Sequence, residues 1–150
     1  MPLPKFLLSI TALVCERVLL EADGVASAIR VVDVFYISPP PSLAPDTLQI
    51  IQAYALVILK SVPGYAGEHA LRVRLINTVG ESSTIAEDSH AEFAAKPGFE
   101  ELPHSINVVV QLNIGVKRFG ICYICLDIDG EEVARTPLTL LQKHPETRVS

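Results

Sequence analysis

The segment Ile106–Ile114, INVVVQLNI, alternates between two kinds of side chain along its length. One face carries only apolar residues: Ile106, Val108, Val110, Leu112 and Ile114. The other face carries three amides and Val109. A period of two is typical of a strand with one buried face, whereas a helix repeats every 3.6 residues. The segment Ala70–Asn77, ALRVRLIN, follows the same pattern, so we expect antiparallel strands around a core.

Further apolar runs, each bounded by Gly, Pro, Asp or Ser, extend this pattern in both directions. They predict eight strands: Phe6–Leu20, Ala28–Ile37, Leu48–Lys60, Ala70–Asn77, Ser83–Ala86, Ser105–Ile114, Phe119–Ile128 and Glu132–Leu141. Short strands with regular turn signals favour an all-β antiparallel β-sandwich, either immunoglobulin-like or jelly-roll-like. Asp129 and Gly130 lie between the last two strands. They predict a tight hairpin turn, because glycine tolerates positive φ.

The length of 150 residues fits one domain. Within it, residues 87–104 are predicted to form a long acidic loop, and residues 142–150 a flexible tail. The last strand has a parity conflict, because Val133 is at an odd position and Leu138 and Leu140 are at even ones. A bulge near Thr136–Pro137 would turn all three inward, and proline is tolerated at bulges.

The composition is apolar for a soluble domain, with 49% hydrophobic and 19% charged residues and a mean hydropathy of +0.37. This excess indicates apolar surface that is buried against another chain. The net charge is −5 and the basic residues are scattered, so no nucleic-acid partner is predicted. The apolar stretch after Lys5 is shorter than the ~20 residues of a spanning helix. We interpret it as the first strand, with no membrane partner.

Cys122 and Cys125 fall inside a predicted strand, three residues apart. An odd offset places them on opposite faces, so they neither bridge readily nor converge on a metal ion. We therefore predict that both are packing residues with free thiols, as is Cys15. Reduced cysteines favour a cytoplasmic location.

The sequence contains no recognisable catalytic or metal-binding motif. Its four histidines form neither His-x-His nor His-Glu-x-x-His, and Gly-x-Ser-x-Gly is absent. Two metal sites remain as alternatives: one between His90 and His104, and a calcium site at Asp88 and Glu92. A solvated loop is the preferred interpretation of both. We predict no catalytic residue, no cofactor and no metal.

Three segments together resemble a small, largely bacterial family of uncharacterised domains. They are LVCERVLLEADGVASAIRVVDVF, HALRVRLINTVGE and GICYICLDIDGEEVARTPLTL. The resemblance runs from roughly Leu7 to Leu141, although Cys122 stands where the family has tyrosine in Gly-x-Tyr. It implies a β-sandwich and no established activity, and it supplies no functional residues.

Two predicted strands are apolar on both faces. The residues opposite the presumed core side are Ile121, Tyr123 and Cys125 in one strand, and Tyr54, Leu56 and Ile58 in the other. On a monomer they would form a large exposed patch, which usually marks an interface. The alternative is a monomer in which the segment 87–101 folds across this face and covers it.

The preferred function is a non-enzymatic one, exerted through protein–protein contacts. We expect a homo-oligomer, with room for an unidentified protein partner. One alternative is a subunit of a larger self-assembled structure, such as a shell or filament. Another is a small hydrolase or sugar-binding module without a recognisable motif, so the question of enzymatic activity is left open.

Overall fold

The computed structural model describes residues 3–22, 25–37, 49–94, 96–116 and 118–143. For residues 86–89 only the backbone is described. These ranges contain nine strands and no helix. The strands are β1 (Leu7–Leu20), β2 (Ala26–Val31), β3 (Val34–Ile37), β4 (Gln49–Ser61), β5 (Gly67–Ile76), β6 (Ser82–Phe93), β7 (Ser105–Val116), β8 (Gly120–Ile128) and β9 (Glu131–Gln142). The all-β prediction is confirmed.

The strands form two sheets that enclose one core. The four-stranded sheet has the order β2-β1-β4-β7, and the five-stranded sheet has the order β3-β9-β8-β5-β6. Alternate residues of both sheets point into the space between them, as the period of two predicts. Leu59 and Leu112 come from one sheet, and Cys122 and Leu138 from the other, and none of these four is exposed. The fold is thus a sandwich-like arrangement of two packed sheets.

The predicted strand Ala28–Ile37 is divided between the two sheets. β2 pairs antiparallel with β1, whereas β3 pairs parallel with β9, from Val34 opposite Thr139 to Ile37 opposite Gln142. Arg30 has a φ of 54° near the end of β2, which interrupts the extended backbone. The expectation of a purely antiparallel fold is therefore wrong for this one pair.

β6 is much longer than predicted and takes up residues 87–93 of the expected acidic loop. It continues to Phe93, so only residues 94–104 connect β6 to β7. Ala91 and Phe93 are each 1% exposed and hold the end of β6 to the core, while Glu92 between them points outward. The many acidic residues of this segment made the alternation of buried and exposed side chains hard to recognise in the sequence. The Asp88 side chain, and with it the calcium hypothesis, lies outside the described residues.

β9 contains a bulge, but at a different residue from the predicted one. Leu126 of β8 faces Ala134 and the next residue, Asp127, faces Glu132, so Val133 is the extra residue. This shift lets Val133 point inward together with Leu138 and Leu140. The prediction of a bulge near Thr136–Pro137 is wrong in position, because Pro137 simply pairs with Tyr123.

The two ends of β9 bear on two further predictions. Asp129 and Gly130 have φ values of 51° and 85°, which confirms the tight turn. At the other end, β9 runs to Gln142, and Lys143 N donates to Ile37 O over 2.7 Å. The first two residues of the predicted tail are therefore ordered by pairing, and residues 144–150 lie outside the described residues. In the ranges described, no helix is long and apolar enough to cross a membrane.

Candidate functional site

The six residues predicted to form an interface lie on opposite sides of the sandwich. Ile121, Tyr123 and Cys125 are on the outer face of the five-stranded sheet. The other three are on the outer face of the four-stranded sheet: Tyr54, Leu56 and Ile58. They cannot form one patch. Leu56 is 3% exposed and Cys125 is fully buried within the chain, so neither contributes apolar surface to a partner.

An exposed apolar surface nevertheless exists around Ile121, and we call it the outer patch. Its members are Tyr36, Ile121, Tyr123, Pro137 and Leu141. The strand register brings them together, because Tyr36 lies opposite Leu141 and Tyr123 opposite Pro137. Tyr36, Ile121 and Leu141 are 66%, 49% and 41% exposed. Sequence reasoning found Ile121 and Tyr123 and missed Tyr36 and Leu141, since the β3–β9 pairing leaves no local signal.

A cluster of charged side chains borders the outer patch. Asp127 is 2% exposed, and its two carboxylate oxygens accept hydrogen bonds of 2.7–2.9 Å from Arg72 and Arg74. Arg74 also donates to Glu132, as does Arg135. Burial alone would raise the pKa of Asp127, but the hydrogen bonds from the two arginines outweigh it and hold this pKa below its ordinary value. The cluster is thus a stabilising ion-pair network.

This network explains why one predicted interface residue is inaccessible. Cys125 lies between Arg74 and Arg135 in the register of the sheet. The Arg135 guanidinium carbon also lies 5.3 Å from the centroid of the Tyr123 ring, which is a cation–π distance. The arginines therefore form a charged border on one side of the outer patch. The alternation of Arg72 and Arg74 was visible in the sequence, but their shared partner on β8 was not.

Tyr65, His69 and Asp129 form a hydrogen-bonded relay at one end of the sandwich. Tyr65 Oη lies 2.5 Å from His69 Nε2, and His69 Nδ1 lies 2.6 Å from Asp129 Oδ2. Asp129 Oδ1 accepts the backbone N–H of Ala70 over 3.0 Å. The hydrogen bonds from His69 and then Ala70 lower the pKa of Asp129. The Phe6 ring stacks on the His69 ring, with centroids 3.8 Å apart.

The relay has the order of groups that activates a hydroxyl nucleophile, namely carboxylate, imidazole and hydroxyl. Catalysis also needs a place for the substrate next to the hydroxyl. None of its three residues lines the cavity described below. The relay fastens the Asp129–Gly130 turn to the beginning of β5, because Asp129 hydrogen-bonds both His69 and Ala70 of that strand.

A cavity of about 660 Å³ opens between the end of β6 and the beginning of β7. Its walls are mainly apolar, from Phe93, Phe99, Leu102 and Ile106, and Lys96 and Glu92 add charge. His104 also lines it, is 8% exposed, and has an Nε2 without a hydrogen-bond partner among the described residues. Such a volume can hold a small molecule or several side chains of a partner.

The described residues do not bring candidate metal ligands together. Within the described part of the chain, no three His, Cys, Asp or Glu side chains gather as metal ligands would. His90 is exposed on β6, with Nδ1 3.5 Å from a carboxylate oxygen of Glu68. His104 instead is buried at the cavity, and its backbone N–H donates to Ser61 Oγ.

Three solved structures show a distant likeness to this chain. A β-glucosidase from Listeria innocua in complex with glucose has a TM-score of 0.44 and 10% identity, over 63% of this chain. The same enzyme with isofagomine gives 0.41 and 12% over 65%, and this chain spans only 16% of the glucosidase in both cases. The Pseudomonas fluorescens alkylpurine DNA glycosylase AlkC bound to DNA containing an abasic site analog gives 0.34 and 9%, over 63% of this chain and 29% of that one.

No curated protein matches the chain. A protein-family model, however, matches residues 10–141, which is most of the sequence. The matched range includes the strands that carry the outer patch, the ion-pair network and the cavity. It confirms the resemblance noted from the three sequence segments. The chain belongs to the family of unknown function DUF6941.

Proposed function

We propose that this protein acts through protein–protein contacts and associates with itself, with the outer patch as its contact surface. The observation that carries the proposal is the uncharged apolar surface formed by Tyr36, Ile121 and Leu141, each more than two-fifths exposed. Apolar side chains gathered in this way are usually buried by a partner. Aromatic residues such as Tyr36 and Tyr123 are enriched in interface cores.

The charge pattern around the patch also supports contact with protein. Arg74 and Arg135 border it and already hold Asp127 and Glu132, so little unpaired charge has to be desolvated when the patch is covered. The alternative covering segment, 87–101, continues β6 in the plane of the sheet as far as Phe93, at the edge opposite β3.

We also propose a cytoplasmic location. It is supported by three free cysteines, all of which are fully buried, a usage typical of reducing compartments.

Sedimentation velocity over a range of concentrations tests the contact surface. We expect wild-type protein to associate at micromolar concentration and Ile121→Glu to lower its apparent mass, because a carboxylate would be desolvated in the contact. Ile50→Glu is the matched control, since Ile50 is 63% exposed on the other sheet. Equal masses for wild type and Ile121→Glu, or a loss of mass with Ile50→Glu alone, would contradict the proposal.

A further inference from the structure

β7 is a long edge strand that lacks the usual protection against pairing. It pairs with β4 over 12 successive residue pairs without a register shift, from Lys60 opposite Ser105 to Gln49 opposite Val116. In the described part of the chain no strand pairs with its other edge. The sequence Ser105–Val116 contains no charged residue and no proline. Natural edge strands usually carry a charge, a proline or a bulge that prevents a further strand from adding.

The other three edge strands of the sandwich carry such features. β2 has six residues and includes Arg30 with a positive φ. β3 has only four residues. β6 is long, but its pairing with β5 contains register shifts and its sequence includes His90 and Glu92. Among the four edge strands that the structure describes, only β7 lacks a feature that prevents further pairing. This difference indicates that another strand normally pairs with the free edge of β7.

We propose that β7 pairs antiparallel with β7 of a second copy of this chain, so that the two four-stranded sheets become one continuous sheet. The twofold axis passes midway between the Val110 residues of the two copies, so Asn107 lies opposite Asn113 of the second copy. This register keeps core-facing residues opposite core-facing residues, since both numbers of each pair have the same parity. It also uses almost the whole length of the strand.

The strand is complementary to itself in this register. On the core-facing side, Ile106 meets Ile114 of the second copy and Val108 meets Leu112, so apolar side chains pair with apolar ones. On the outer side the exposed Asn107 meets the exposed Asn113, which allows amide hydrogen bonds. A chain with a net charge of −5 repels its own copies in general, but an uncharged strand adds nothing to that repulsion.

The cavity at the beginning of β7 supports the same occupant. Ile106 lines the cavity, and the proposed register places Ile114 of the second copy opposite Ile106 on the same face. The end of the added strand therefore lies along the cavity, whose walls include Phe93 and Phe99. The cavity lies where the segment 94–104 connects the edge strands β6 and β7, so an added strand would run past its opening.

This inference does not rest on the outer patch, and the experiment separates the two contacts. All variants are made in the Ile121→Glu chain, so that association through the outer patch is removed. We expect this chain to remain a dimer in sedimentation experiments. Asn107→Lys with Asn113→Lys places lysines opposite each other twice and should weaken dimerisation at least about tenfold. Asn107→Lys with Asn113→Asp creates two attractive pairs and should restore the dimer.

Thr11→Lys with Gln52→Lys is the matched control. Both residues are exposed on the same sheet face and the pair adds the same charge, but they lie on β1 and β4, which have neighbours on both sides. It should leave the dimer intact. The pairing is overturned if the Ile121→Glu chain is monomeric, if the control dissociates as much as the double lysine variant, or if the lysine–aspartate variant stays dissociated.

A fluorescent reporter tests the cavity independently of mass. The chain has no tryptophan, so Phe99→Trp introduces a single tryptophan at the cavity, which can be excited selectively above the absorption of the four tyrosines. Its emission should shift to shorter wavelength as dimers form with rising concentration, and the shift should disappear in the double lysine variant. If the emission wavelength does not change as dimers form, the second copy does not reach the cavity.

Discussion

At the scale of single residues, the three cysteines illustrate how burial removes reactivity. Cys122 Sγ lies 3.4 Å from Leu138 O and Cys15 Sγ lies 3.7 Å from Tyr54 O, so both thiols can donate weak hydrogen bonds within the sheets. Burial raises the pKa of all three thiols, that of Cys122 to about 11. The thiolate is the reactive form, so the folded protein should be inert toward thiol reagents.

Thiol titration checks this expectation. We expect three thiols per chain to react once the protein is unfolded without reductant, and almost none to react while it is folded. A count of one in the unfolded protein would reveal a disulfide and contradict the cytoplasmic proposal. Rapid reaction in the folded state would instead contradict the burial of these side chains.

Asp127 should be the most sensitive charged residue. Asp127→Asn removes the carboxylate that Arg72 and Arg74 share and leaves Arg74 only Glu132, and we expect a loss of about 2 kcal/mol of unfolding free energy at pH 7. The pKa of Asp127 is lowered in the folded state, so its contribution is complete above the unfolded-state pKa of about 4 and is lost as the pH falls through the folded-state pKa.

Urea denaturation of wild type and Asp127→Asn at pH 7 and pH 3 measures this dependence. The two proteins should differ less at the lower pH. Glu131→Gln is the control, because Glu131 is exposed on the same hairpin. A difference that is as large at pH 3 as at pH 7 would contradict the assigned role of the carboxylate.

At the scale of the elements, the beginning of β5 depends on a glycine. A Cβ added to Gly67 would lie 2.9 Å from Tyr65 Cζ and would also contact Tyr65 Oη, both well inside van der Waals distance. Gly67→Ala should therefore displace the Tyr65 ring, break its hydrogen bond to His69, and cost about 1–3 kcal/mol of stability.

A double-mutant cycle isolates this contact. In a Tyr65→Ala chain, Gly67→Ala should cost nothing or stabilise slightly, because Gly67 does not have a positive φ and alanine restricts the unfolded chain. Thermal denaturation of the four proteins gives the coupling free energy. If the two changes are simply additive, the ring of Tyr65 is not what requires glycine.

The elements also show what could be predicted from sequence and what could not. β5 and β7 each have one buried face and follow a local alternation, so the sequence predicted the ends of both strands to within three residues. The pairing of β3 with β9 leaves no trace in either segment, and thus the division of Ala28–Ile37 was missed. The bulge at Val133 was inferred from parity, but parity alone does not say where between Val133 and Leu138 the shift occurs.

The same limit applies to the candidate contact surfaces. Apolar residues on both faces of β8 pointed to Ile121 and Tyr123, which do lie in the outer patch. Cys125 has the same pattern but is covered by arginines that arrive from β5 and β9. Whether a side chain is exposed depends on its neighbours across the sheet, and those neighbours come from distant parts of the sequence.

At the scale of the whole molecule, the outer patch and the edge of β7 belong to different sheets. A chain with two separate self-complementary contacts can link beyond a dimer, because each copy still has one contact free after the first is made. If both proposals hold, wild-type protein should form tetramers or longer assemblies, and removing either contact should leave dimers. Two such contacts per chain are what a subunit of a shell or filament, the alternative function suggested by the sequence, would need.

The parallel pairing of β3 with β9 has a consequence for synthesis on the ribosome. Val34 pairs with Thr139, which is 105 positions later in the chain. At about 5–20 residues per second, roughly 5–20 s pass between the synthesis of these two residues. Throughout that interval β3 has no partner in its sheet, and Phe35 has no completed core to enter. The five-stranded sheet therefore closes only after β9 has been synthesised, and until then β3 is exposed to chaperones or to neighbouring nascent chains.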